Sequence, residues 1–448
     1  MSGAPVMTRD DARALVERVV KMSKADDVQV NVSGGHQTNV RFADNRVSTS
    51  GGVSDLTIGV YSAFGPKHAV ASTNDVSDAG LERAVRQSEA LARLAPDDPE
   101  VMPLLGPTQY RETRAFFEST AELTPQARVQ PARTAIAAAK ADGALKAAGF
   151  IAAGAGIDAL GNNQGLFAYH PSTSVNYTLT VRTADGTGSG WAGADHPDWS
   201  QVDFTAVADA AIRKARLSRN PQAIEPGRYT VILEPQAVGD LVQRMGQALN
   251  ARTADEGRSA FSKRGGGSRI GERIVDERVT LLSDPTDPQL LSAPFDDQGL
   301  ALGRQVWIEN GVLKTLAYSR FWARKQGGPP TGSASALKLA GGDASVDDMI
   351  RSTPRGILVT RFWYIRPVDP RTLLFTGLTR DGTFLIEDGK IARSVRNLRF
   401  NESPLFMLNN VEMVGRPVRI AGTESGGNVV LPALKVREFN FTSVSEAV

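Results

Sequence analysis

The sequence predicts an α+β protein, with an N-terminal helix and antiparallel-sheet domain followed by a mainly antiparallel β C-terminal domain with one prominent helix. Three observations carry this. Capped, amphipathic helical patterns cluster in the first half. Short apolar runs between Gly, Pro, Asp and Asn dominate after Leu249. Between them one strand, Tyr229–Leu233, runs directly into a helix at Pro235.

In chain order, Thr8 caps a first helix that has acids in its opening turn and buries Ala12, Leu15, Val16, Val19 and Val20. Alternating Val28, Val30 and Val32, then Val40 and Phe42, then Leu56, Ile58 and Val60 predict strands. Gly34-Gly35 and Gly51-Gly52 are the expected turns between them. A second helix starts near Ser77 and buries Leu81, Ala84, Val85 and Leu91. After a proline-rich connection, a helix begins at Thr124-Pro125. Strands are expected at Leu166–Tyr169 and Ser174–Thr183, then a helix over Phe204–Arg216. Leu217–Gly227 reads as a linker, which divides the chain into domains 1–220 and 227–448.

At the Tyr229–Leu233 strand end, Pro235 suits a first helical position, where its missing N–H costs nothing. Val238, Leu241, Val242, Met245 and Leu249 then form one apolar stripe. Gln236 and Asp240 fall just past the strand, where an enzyme places reactive side chains. Further on, Glu309-Asn-Gly-Val312 and Glu387-Asp-Gly-Lys390 are hairpin signals, because Asn-Gly and Asp-Gly supply positive φ. Strands are predicted around Val279–Leu282, Gln305–Glu309, Val312–Tyr318, Gly356–Ile365, Thr372–Leu378, Thr383–Ile386, Lys390–Arg393 and Leu434–Phe441, with a short helix over Pro404–Val411.

Composition excludes several classes of function. The net charge of +2 from 51 basic and 49 acidic side chains gives no electrostatic case for nucleic acid or an anionic membrane. With no cysteine, disulfides, thiolate metal ligands and thiol nucleophiles are all ruled out. No leader-like or membrane-spanning run is visible, so a cytoplasmic location is expected.

Isolated motifs are weak. Gly188-x-Gly190-x-x-Gly193 has the letters of a dinucleotide loop but no helix opens after it, so a flexible loop is expected. Ser335-Ala-Leu-Lys338 lacks the companion motifs of the Ser-x-x-Lys enzymes. His36, His68, His170 and His196 stand apart in sequence, with no second ligand at helical spacing. Asp296-Asp297 reads as a solvated loop rather than a cation site, and Arg320–Lys325 as a solvated face with buried aromatics.

A more specific signal comes from a series of segments in order: Ser259-Ala-Phe-Ser262, Gly271-Glu-Arg-Ile, Phe295-Asp-Asp-Gln-Gly299, Trp307–Lys314, Tyr318-Ser-Arg320, Pro330-Thr-Gly332, Thr360-Arg-Phe-Trp363, Phe375–Phe384 and Val395–Asn401. With these pieces the chain resembles the TldD/PmbA family of metallopeptidases, once called modulators of DNA gyrase. The first half agrees more loosely, through Arg41-Phe42, Gly59-Val60-Tyr61 and Ala71–Asn74.

Active members of that family carry His-Glu-x-x-x-His on the helix after this strand. Aligning the shared Ala237-Val238-Gly239 puts Pro235 and Asp240 at the histidines and Gln236 at the glutamate. Such a site needs imidazole ligands and a carboxylate base. Active members also use a cysteine from a glycine-rich stretch, which here reads Gly422-Thr-Glu-Ser-Gly-Gly-Asn428. The resemblance therefore points to the TldE (PmbA) type: no cofactor in this chain, and zinc held by a TldD-like homologous subunit. It implies a heterodimer that degrades or trims unfolded peptides, with a homodimer possible. Two alternatives remain at this stage. One is an active metal-dependent hydrolase with a site rebuilt around Asp240; the other is a non-enzymatic peptide-binding homo-oligomer.

Overall fold

The computed structural model describes residues 7–422 and 428–445. Its first half consists of α1 (Arg9–Met22), β1 (Asp27–Ala43), β2 (Arg46–Phe64), β3 (Lys67–Thr73), α2 (Asp78–Leu94), α3 (Glu118–Ala121), α4 (Pro125–Asp142), β4 (Leu145–Asn162), β5 (Phe167–Thr183), β6 (Ser189–His196) and α5 (Phe204–Leu217). The six strands form one antiparallel sheet in the order β3-β2-β1-β4-β5-β6. Helix starts follow local chemistry. The hydroxyls of Thr8, Ser77 and Thr124 each accept a first-turn N–H, and Gly143 ends α4 in the left-handed region.

Several strands are longer than their sequence patterns. β1 and β2 run unbroken through Gly34-Gly35 and Gly51-Gly52, and the chain reverses instead at Asp44-Asn45, with φ of 48° and 59°. Gly35 answers to space, not to a turn: a Cβ there would lie 2.1 Å from the Ala155 carbonyl oxygen on β4. β4 is an 18-residue strand in an Ala/Gly run that shows almost no hydrophobic alternation. β5 joins the two strands expected at 166–169 and 174–183. β6 replaces the flexible loop expected around Gly188–Gly193. A Cβ at Gly190 would sit 2.3 Å from both Ala211 O and Ala215 N, so the glycine lets α5 lie close on the strand. Leu91, expected in the core, is 44% exposed, and Ala92 fills the buried position.

Val30, Val32, Val40 and Phe42 share one face of β1. α1 and α2 cover one end of that face with Leu15, Val19, Leu81 and Val85, and α4 and α5 cover the other with Ala135, Ala211 and Ile212. The opposite face turns toward the second half of the chain, where Gln29 and Asn31 donate to the Asp297 carbonyl.

The second half contains β7 (Gly227–Leu233), α6 (Pro235–Ala248), α7 (Ala251–Asp255), β8 (Leu281–Ser283), β9 (Gln305–Glu309), β10 (Val312–Leu313), α8 (Arg320–Gln326), β11 (Lys338–Leu339) and α9 (Val346–Arg351). It continues with β12 (Arg355–Asp369), β13 (Leu374–Glu387), β14 (Lys390–Ser394), β15 (Leu398–Glu402), α10 (Pro404–Asn409), β16 (Val411–Val414), β17 (Val418–Arg419), β18 (Val430–Leu431) and β19 (Leu434–Val444). The larger sheet runs β12-β7-β19-β15-β13-β14, and β12 also pairs with β13, closing a ring of five strands. The second sheet is β10-β9-β8-β11-β18-β17. Both Asn-Gly and Asp-Gly hairpins form, with Asn310, Gly311, Asp388 and Gly389 at positive φ. β13 spans the two strands expected at 372–378 and 383–386, while the strand expected to reach Tyr318 stops at Leu313. No helix among the described residues is long and apolar enough to cross a membrane.

α6 is sandwiched between the ring and the second sheet. Its expected stripe of Val238, Leu241, Val242 and Met245 is fully buried, and the opposite side is buried too at Gln236, Asp240 and Gln243, leaving Gln247 exposed in the last turn. A Cβ at Gly239 would meet Ile420 Cδ1 at 2.1 Å, and one at Gly246 would meet Leu337 Cδ1 at 2.4 Å. Through its first three turns the helix therefore lacks the solvated face its polar residues suggest.

Candidate functional site at the β7–α6 junction

β7 delivers Glu234 to the N-cap of α6 and Pro235 to its first turn. Gln236 is 5% exposed and Asp240 has no exposed surface. Gln236 Nε2 donates to Asp240 Oδ1 at 3.0 Å, and the Phe362 N–H donates to Asp240 Oδ2 at 2.9 Å. Phe362 follows a slip in the β12–β13 register between Val359 and Arg361, so the carboxylate ties the helix to an irregular point of the ring.

These donors do not fit a hydrolytic zinc. Such a site takes about three protein ligands and one open position. Proline offers no donor, Gln236 is a neutral amide, and both Asp240 oxygens already accept hydrogen bonds in a sealed setting. Among the described residues, no three His, Asp or Glu side chains are gathered to hold a metal.

The junction lies beside the first-half sheet. Lys214 of α5 reaches Glu234 at 2.5 Å and donates to the Trp191 carbonyl on β6. Arg419 pairs with Asp195 of β6 at 2.6 Å, Ile420 packs on Gly239, and a Cβ at Gly193 would meet Ala421 at 2.6 Å. Residues 419–421 thus wedge between β6 and α6. The glycine-rich stretch that the resemblance assigns to the site follows directly; Gly422 and Asn428 belong to the described residues, and 423–427 lie outside them.

Beyond this wedge a cleft of about 440 Å³, lined mostly by polar residues, opens between the sheet and the second half. It brings His170 and His196, which stand apart in sequence, together with Asp158, Asp195 and Arg419. The signal that could have joined them is the β5–β6 ladder, which pairs Val175 with His196. Burial holds His170 neutral, with a pKa of about 4, and its Nδ1 bonds to Thr113. Burial, with Arg419 adding to it, also lowers the pKa of His196. His36 bonds Ser54 and His68 bonds Asp98, both away from the cleft.

The other motifs are structural. Asp296 is not freely solvated: its Oδ1 accepts the Gln298 and Leu300 N–H groups and folds the loop on itself. Lys338 pairs with Asp287, not with Ser335. Arg320–Lys325 lies in α8, where Trp322 is buried under the cations of Arg252 and Lys325, and Arg320 bonds the Pro103 carbonyl.

Three family models match in succession: the PmbA/TldA metallopeptidase domain 1 over residues 28–92, its central domain over 118–219 and its C-terminal domain over 226–443. The chain belongs to the PmbA/TldD metallopeptidase family. The single sheet β1–β6 spans both of the first two matches. A metalloprotease of Methanothermobacter thermautotrophicus is 27% identical over 287 residues, covering 58% of this chain and 60% of that protein, under two thirds of its length. The metalloprotease PmbA of Escherichia coli O157:H7 is 23% identical over 443 residues, covering 93% of this chain and 91% of its own. The crystal structure of TldE from Thermococcus kodakarensis shares the fold, with a TM-score of 0.81 at 18% identity, over 96% of this chain and 99% of that one.

Proposed function

We propose that this chain is the TldE-like, catalytically silent subunit of a TldD/TldE-type heterodimeric metallopeptidase that degrades or trims unfolded peptides in the cytoplasm. Its two units, 1–220 and 227–448, shape the chamber and hold extended substrate, while a TldD-type partner carries the zinc. The reading rests on one observation: the three motif positions hold Pro235, Gln236 and Asp240, packed as a structural tie with no donor set for zinc. A fold kept nearly whole around a helix without metal chemistry supports a role beside a partner's site.

The test is metal analysis and peptide hydrolysis, with the chain alone and with a TldD-type subunit. The isolated chain is expected to hold no stoichiometric zinc and to cleave nothing. The mixture is expected to cleave, and to stop on chelation. One tightly held zinc per isolated chain overturns the proposal in favour of a rebuilt metal site. A stable homodimer that binds peptide and ignores the partner overturns it in favour of a peptide-binding homo-oligomer.

A further inference from the structure

Two cavities on the open face of the first-half sheet, of about 290 and 440 Å³, share Asp158, Ser172 and Ser174 in their walls. They form one trough that runs from β1 and β2 across β4 and β5 to the wedge at Arg419. Its floor is low because Gly35 and Gly156 face each other in the β1–β4 ladder beside Ser172 and Ser174. A ligand main chain can therefore lie close to the sheet.

Two carboxylates stand in this trough, Asp55 on β2 and Asp158 on β4. Neither has an ion pair among the described residues, whereas Asp195 at the far end is neutralised by Arg419. Asp158 reaches solvent along the trough, yet the surroundings desolvate its carboxyl and raise its pKa, and no cation offsets this. His170, directly across the β4–β5 ladder from Asp158, stays neutral and cannot compensate it. His170 is 4% exposed and lines the cleft; its Nδ1 is taken by Thr113, and its Nε2 makes no hydrogen bond among the described residues.

The register also decides what kind of cation fits. β1 lies between the two carboxylates, which places them roughly 10 Å apart across the strands. Among the described residues no third His, Asp or Glu joins them as a metal site, and two carboxylates alone fall well short of the roughly six to eight oxygens a hard cation takes. Organic cations spaced along an extended chain suit this spacing.

Resting on the peptide-holding reading above, we propose that the trough selects extended peptides bearing lysine or arginine, with Asp158 and Asp55 receiving the cations and His170 Nε2 a main-chain group. The selectivity belongs to this subunit and is independent of the partner's zinc.

The experiment measures fluorescence anisotropy of the full-length chain with three labelled unstructured decapeptides at low salt. They are identical except for two positions that carry lysine, norleucine or glutamate. The lysine peptide is expected to bind about fivefold tighter than the norleucine peptide, the scale of one or two partly screened ion pairs. In the D55N/D158N variant that ratio falls to about one while norleucine-peptide affinity holds; in Ser174→Lys the preference turns toward glutamate. Equal binding of all three peptides by the unaltered chain overturns the inference and leaves the subunit reading intact, since that reading is tested by zinc content and partner dependence. Persistence of the fivefold ratio in D55N/D158N also overturns it.

Discussion

Asp240 under α6 and Asp158 in the sheet trough are both carboxylates in regions that a peptidase-like chain could use, but their surroundings differ. Asp240 has no exposed surface and its two oxygens accept hydrogen bonds from Gln236 and the Phe362 backbone. Asp158 opens into a cavity and has no ion pair among the described residues. A buried, bonded carboxylate positions the fold; an accessible, uncompensated one is available to a ligand. The junction that the motif singles out is packed as structure, and the trough that no motif marks is the region the proposed peptide selectivity uses.

The sharpest way to break this contrast is Asp240→Ala. It strands the Phe362 N–H and removes a buried acceptor, so a loss on the order of 4 kcal/mol is expected from urea unfolding. A loss under about 0.5 kcal/mol would remove Asp240 from the structural side.

A second contrast lies in pH, because each half holds a buried group whose titration falls between pH 4 and 7. Burial raises Glu402, in the ring, to about 7. Its folded-state pKa exceeds the unfolded value of 4.5, so its contribution is complete below pH 4.5 and is lost as pH rises through 7. His170, in the sheet, is depressed from 6.5 to about 4, so its contribution is present above pH 6.5 and is lost as pH falls through 4. Each effect is on the order of 3 kcal/mol. Glu402→Gln should flatten the alkaline limb of a stability–pH profile, and His170→Gln the acid limb. Profiles unchanged by either substitution would dissolve the distinction.

Within the first-half sheet, the packed face is predicted to be less tolerant than the trough. Gly190→Ala drives a Cβ into the α5 backbone and should cost about 2 kcal/mol by thermal or chemical unfolding. Asp158→Asn should change stability by no more than about 0.5 kcal/mol, or raise it slightly, because a desolvated charge is removed. Equal costs at the two positions would erase the difference between the faces.

What could be read from the sequence follows the range over which each signal acts. Caps at Thr8, Ser77 and Thr124, Pro235 at a helix start, and the Asn310-Gly311 and Asp388-Gly389 turns are set by neighbours within about four residues, and all form. β4 and β6 were invisible because Ala and Gly give no apolar contrast; their glycines answer to strands and helices far away in the chain, as Gly35 does to Ala155. The three junction positions came from the family motif, but their burial could not, since it depends on Ile420 and Leu337 closing over α6. The trough was hidden for the same reason: Asp55, Asp158 and His170 meet only through the register of four strands.

The closed ring has one consequence for how the protein is made. β7 is completed by β19, which emerges from the ribosome roughly 200 residues later, so this contact is among the most non-local in the chain. Until then α6 has no finished surface to lie against, and its apolar side waits uncovered through most of the synthesis of the second half. Newly made chains should therefore depend on holding factors late in translation, after all six strands of the first-half sheet have been made.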